Sequence, residues 1–156
     1  MSDYTRTTRE CSNLAGLTPM LAAAIQKYVE KYGPENLEQS ILICCETAST
    51  KKKKGLFSGK AEVILTGILV MPRWLIWASG KEGETPGVLA ARLSEVRVQD
   101  YEKSDFHKML PDCGLNIDNL NTGTLERGSS FIGLGEEPAA QKLRAVLREA
   151  LQKAIV

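Results

Sequence analysis

The sequence predicts one α+β, mainly β domain: about seven antiparallel strands, a C-terminal amphipathic helix that closes them, and an additional N-terminal helix. Three observations predict it. Apolar residues between Ile41 and Tyr101 recur with the period of strands. Residues 137–155 carry one apolar stripe at helical spacing. Residues 18–33 carry both a helix start and a helix stop. A chain of 156 residues suffices for one hydrophobic core without metals or disulfides. A hydrophobic share of 43% and a charged share of 25% exclude wholesale disorder.

Residues 1–13 are polar and unpatterned, and a flexible arm is expected there. The domain proper is then residues 14–156. Thr18 is an N-cap residue type, and Pro19 suits the first helical position because its missing N–H costs nothing. Leu21, Ile25, Tyr28 and Tyr32 follow at helical spacing, and Gly33-Pro34 ends the helix.

From Ser40 the period becomes that of strands. Ile41–Cys45 is the first, followed by a loop over residues 47–60 and a long second strand over Ala61–Met71. Pro72-Arg73 turns into a third, Trp74–Ala78. A Gly/Glu/Pro loop precedes Val88–Leu93, and Val96–Tyr101 follows a break at Ser94-Glu95. Weaker runs lie at Leu115–Leu120 and Ser129–Leu134, separated by Asn121-Thr122-Gly123. Glu136-Glu137-Pro138 opens the last helix, with acidic charge on its first turn. Its stripe is Ala139, Leu143, Val146, Leu147, Ala150, Leu151, Ala154 and Ile155.

Two features constrain how these pack. Val96 and Val98 alternate with Arg97 and Gln99, so that strand has one wet face. The second strand is apolar on both faces, with Val63, Leu65 and Leu69 opposite Ile64, Ile68 and Val70. Such a sheet needs a second cover, either the N-terminal helix or a partner subunit.

Charge and cysteine usage bound the function classes. Lys+Arg of 20 against Asp+Glu of 19 gives no basic excess, which argues against nucleic acid as a partner. Cys11, Cys44, Cys45 and Cys113 form no C-x-x-C pair, and His107 is the single histidine, so no zinc spacing is present. Cys44 and Cys45 are adjacent in a strand-like run and should be small core residues on opposite faces. No cofactor motif is present: there is no P-loop, G-x-G-x-x-G or G-x-S-x-G, and GLFSGK at residues 55–60 lacks the required spacing. His107 and Cys113 remain the only catalytic candidates, and nothing in the sequence places a partner beside either. Without an apolar leader or a long apolar run, a reducing, cytoplasmic compartment is expected.

The order of elements carries a resemblance. Short antiparallel strands with hairpin connections, then one C-terminal amphipathic helix, resemble the pleckstrin-homology-like domain, a partly open barrel. Locally, GILVMPRWLIWASG at residues 67–80 is similar to the second-to-third-strand hairpin of GRAM and bacterial PH-like domains. GVLAARLSEVRVQDY at residues 87–101 is similar to the next strand pair. The similarity spans residues 41–155 and leaves the N-terminal helix outside it. An α+β arrangement with an open sheet is the runner-up fold; a lipocalin-like barrel lacks its glycine-tryptophan signature. The resemblance implies a non-catalytic intracellular binding or adaptor module.

It also implies where a ligand would meet the chain. Lys51, Lys52, Lys53, Lys54 and Lys60 lie in the loop between the first two strands, where phosphoinositide-binding relatives gather basic residues; Arg73 takes the basic turn position. Leu56 and Phe57 at the loop tip would add apolar insertion into an anionic membrane surface. Glu62 at the start of the second strand departs from that pattern, so headgroup selectivity is not expected. The bland alternative is a solvated lysine run that keeps a hairpin soluble. Trp74 and Trp77, three apart in a strand, face opposite sides, and one of them is a candidate for a protein or homo-oligomer interface.

Overall fold

In the computed structural model, which describes residues 3–33, 36–51 and 62–155, the strands form two antiparallel sheets. The first comprises β1 (Tyr4–Cys11), β2 (Ile43–Lys51), β3 (Val63–Val70), β4 (Trp74–Lys81) and β5 (Gly87–Arg92), in that spatial order. The second comprises β6 (Arg97–Asp100), β7 (Gly114–Asn121) and β8 (Arg127–Gly133). Helix α1 (Pro19–Tyr32) and the short α2 (Leu37–Ser40) join β1 to β2, and α3 (Pro138–Ala154) closes the chain.

A closed barrel is not formed. Among the described residues no ladder joins β5 to β6 or β1 to β8. The chain crosses from the first sheet to the second at a tight corner, where the Glu95 and Val96 N–H groups donate to the Arg92 carbonyl at 3.0 and 3.3 Å. On the opposite flank side chains do the joining. Thr8 Oγ1 accepts from the Gly135 N–H, and the Thr8 N–H donates to Glu137 Oε1, each at 2.9 Å. That carboxylate occupies an edge donor of β1 that would otherwise be open to strand addition. Arg6 completes the flank with a bidentate pair to Asp112 at 2.8 and 2.7 Å.

The expected arm over residues 1–13 is therefore corrected: its larger part is the edge strand β1, paired along its length with β2 from Tyr4↔Lys51 to Cys11↔Cys44. Hydropathy missed it because its inward side carries Arg6 and Thr8, which are satisfied by hydrogen bonds rather than by apolar contact. The same physics extends β2 to Lys51, through residues expected to be loop. There Glu46, Thr47 and Ser49 are buried polar residues, each with a side-chain partner.

The apolar residues segregate into two cores on the two faces of the first sheet. Between the sheets, Cys45, Ile68, Leu75, Trp77, Leu115 and Ile117 pack beneath Leu143 and Leu147 of α3. On the outer face, Leu21, Ile25 and Val29 of α1 cover Cys44, Leu69, Met71 and Ile76. The second cover that the doubly apolar strands require is α1, and Cys44 and Cys45 lie on opposite faces as expected. Gly67 admits the helix: a Cβ there would meet Leu17 at 3.1 Å and Leu21 at 3.5 Å.

Glu46, only 6% exposed, anchors the start of α1. Its carboxylate accepts from the Thr18 N–H at 2.7 Å and from Thr18 Oγ1 at 2.9 Å. Two helix-face expectations shift by about one residue. Val29 is the buried member of α1 while Tyr32 is exposed; in α3, Ala140 is buried and Ile155 is exposed. Fraying of the final turn accounts for Ile155, which follows the last helical residue.

Candidate functional site

The two ends of the first sheet differ in charge and in what lines them. At one end β2 stops at Lys51, whose N–H donates to the Glu62 carbonyl at 2.9 Å as β3 is about to begin. Lys52, Lys53, Lys54, Leu56, Phe57 and Lys60 lie outside the described residues. The surroundings are mixed in sign. Lys81 Nζ sits 2.9 Å from Glu62 Oε1, and that pair raises the ammonium pKa and lowers the carboxyl pKa. Glu82 and Glu84 follow in the β4–β5 connection at the same end.

Arg73 is at the other end. With 8 residues in β3, the sheet places the β3–β4 turn roughly 25 Å from the lysine end. The structure therefore does not bring Arg73 together with Lys51, although both were expected to meet an anionic ligand or lipid surface. The turn is firmly held: the Met71 N–H donates to the Trp74 carbonyl at 2.8 Å, and the Leu93 N–H to the Arg73 carbonyl at 3.0 Å. Register sets Trp74 opposite Arg92, and the guanidinium of Arg92 lies 5.1 Å from the Trp74 ring centroid. Arg73, Trp74, Arg92 and Ser94 then form one wall of a cleft of about 470 Å³, with Lys153 of α3 on the other side.

Trp74 and Trp77 do face opposite ways. Trp77 is 3% exposed within the core between the sheets, and Trp74 is half-buried against the outer core. Arg92, Ser94 and Lys153 were not foreseen. Arg92 has a signal only once Trp74 and Arg92 are known to be paired, and Lys153 only once α3 is docked.

His107 and Cys113 do share a depression with Arg6 and Asp112. Its chemistry is poor for a nucleophile. Burial, and next the Glu102 carboxylate, push the Cys113 thiol up to about 11, so the thiolate is scarce near neutrality. Asp112 is occupied by Arg6. His107 stands edge-on to Tyr101 at 5.9 Å, with Nδ1 buried and unpartnered. Among the described residues, no three of His, Cys, Asp and Glu are placed to hold a metal ion.

One apolar feature stands out on the surface. Phe106, Met109 and Leu110, in the connection between β6 and β7, are 67%, 81% and 70% exposed. No helix among the described residues is long and apolar enough to cross a membrane. Comparison with protein-family models, curated proteins and solved structures returned no match. The class that the geometry defines is thus a small α+β, mainly β domain: two antiparallel sheets, one helix over the core between them and one over the outer face.

Proposed function

We propose that the chain is a PH/GRAM-like, non-catalytic intracellular binding module that meets anionic lipid surfaces through the connection from Lys51 to Lys60. The observation that carries this reading is the order of pairing: β2 to β5 in one sheet, β6 to β8 in a second, then α3 over the core they enclose. That order is the one the resemblance implies, with β1 and α1 as additions on the N-terminal side. In it, the lysine-rich connection joins the first two family strands.

Magnitudes make the contact weak. Lysines near an anionic leaflet contribute about 1 kcal/mol each, so Lys51–Lys54 and Lys60 together supply about 5 kcal/mol before screening. That corresponds to a submillimolar attraction. Glu62, Glu82 and Glu84 reduce it further and disfavour selection of one headgroup over another. Co-sedimentation with phosphatidylserine-containing and neutral vesicles tests the reading. The wild type should pellet with anionic vesicles at low ionic strength and release as salt shortens the Debye length to about 8 Å. Replacing Lys51 to Lys54 with serine should abolish pelleting and leave the melting temperature unchanged. Equal behaviour of the two proteins would reject the lipid reading.

A second reading, protein docking or self-association, is favoured by the exposed Phe106, Met109 and Leu110. Under that reading the serine variant would behave as wild type, and substitution of these three residues by serine would change the solution mass.

A further inference from the structure

We infer that the cleft between the β3–β4 turn, the β5–β6 corner and the end of α3 binds a phosphate-bearing ligand. This inference does not depend on the lysine connection, which lies at the far end of the sheet.

Charge is the first argument. Arg73, Arg92 and Lys153 border one cleft of about 470 Å³, and among the described residues no Asp or Glu lines it. The more buried arginines of the fold are held by acids, Arg6 by Asp112 and Arg144 by Asp100 and Glu102, and the half-exposed Arg9 reaches Glu46. Among the described residues, neither Arg73 nor Arg92 has such a partner. Lys153 is paired with Glu149 at 3.0 Å, but both side chains are largely exposed, and an exposed pair of this kind is readily exchanged. The carbonyl end of α3 is nearby and carries about half a negative charge, which three full cations exceed.

Preorganisation is the second argument. The Arg92 guanidinium lies over the Trp74 ring, 5.1 Å from its centroid, a cation–π contact that restrains the side chain beside the cleft. The backbone of Arg73 is pinned to β5 by the Leu93 N–H at 3.0 Å. Ser94 adds a hydroxyl beside them. Two guanidinium forks, an ammonium and a hydroxyl around one opening match a dianionic or more highly charged phosphate group better than a single carboxylate. A phosphorylated small molecule and the headgroup of a lipid share this chemistry.

Inorganic pyrophosphate is the probe, with acetate as the monoanionic control, followed by titration calorimetry and by tryptophan fluorescence. Trp77 is sealed in the core, so a response reports on Trp74. Pyrophosphate should bind, acetate should not, and Arg73→Gln or Arg92→Gln should each weaken binding at least about tenfold, the worth of one charged hydrogen-bonded contact. Lys153→Gln should weaken it less. The melting temperatures of these variants should match wild type, because the substituted groups are solvent-facing.

The variant with serine at Lys51 to Lys54 should keep its pyrophosphate affinity and lose only vesicle binding. An Arg73→Gln/Arg92→Gln protein that still pellets with vesicles assigns the cleft to a soluble phosphate ligand; one that no longer pellets assigns it to a lipid headgroup. No response in the wild type up to about 10 mM pyrophosphate, or unchanged affinity in Arg73→Gln/Arg92→Gln, would overturn the inference.

Discussion

The end of the first sheet that carries Arg73 and the end that carries Lys51 are built on opposite terms. At the Arg73 end the space between the sheets is filled by Ile43, Val70 and Leu75 and sealed by Leu143, Leu147 and Ala150 of α3. The unpaired guanidiniums stand outside that seal. At the Lys51 end the strands turn hydroxyls and a guanidinium toward one another: Thr8 to Thr47 at 2.9 Å, Arg6 to Ser49 at 2.6 Å and Thr66 to Ser79 at 3.1 Å. There Lys81 is matched by Glu62. One end derives its order from apolar burial and leaves Arg73 and Arg92 without an acid partner among the described residues; the other derives it from hydrogen bonds and mixes charges of both signs. A cleft bordered by three cations suits a discrete ligand, and a charge-mixed rim suits a diffuse surface.

The comparison breaks most visibly in the interior. Leu147→Asp puts an unpaired carboxylate beneath α3 and should cost at least about 4 kcal/mol, enough to unfold a marginally stable domain. Ser49→Ala removes one acceptor from Arg6, which keeps Asp112, and should cost only about 1–2 kcal/mol. Chemical denaturation of both variants measures the contrast. Equal losses would mean that the two ends are not differently built.

A smaller effect concerns the contact that ties α3 to the second sheet. Burial pushes the Glu102 carboxyl up, but Arg144 and the Gly114 N–H, at 3.1 and 2.7 Å, outweigh it and hold the group below the ordinary carboxylate range. A carboxyl whose folded pKa is depressed adds stability above its unfolded pKa, and that stability is lost as pH falls through the folded value. Melting temperature should therefore drop as pH falls below the ordinary glutamate value of about 4.5, and Glu102→Gln should start lower and fall less on acidification. A variant with the wild-type slope would remove Glu102 from the acid response.

Most of the apolar frame was legible in the amino-acid order. The two long helices, the hairpin through Pro72-Arg73, the opposite facing of Cys44 and Cys45, and the need for a cover on the outer face all follow from periodicity. What escaped detection was the polar half of the first sheet. β1 and the second half of β2 read as arm and loop because their inward residues are Thr, Ser, Arg and Glu. Such residues belong inside only when specific partners arrive from distant strands, and no local window contains those partners. The same reason hid the cleft. Arg73 was visible as a turn cation, but Arg92 reaches it through strand register and Lys153 through helix docking. Arg73 was named beside the lysines because the resemblance gives its turn a basic residue, and the length of β3 separates them.

The most direct test of a diffuse lysine end and a discrete arginine end is a map of amide chemical shifts with two probes, anionic bicelles and pyrophosphate. The account predicts that bicelles perturb residues near Lys51, whereas pyrophosphate perturbs Arg73, Trp74 and Arg92 and leaves Lys51 in place. Bicelles leaving Lys51 unperturbed, or pyrophosphate acting at Lys51, would contradict it.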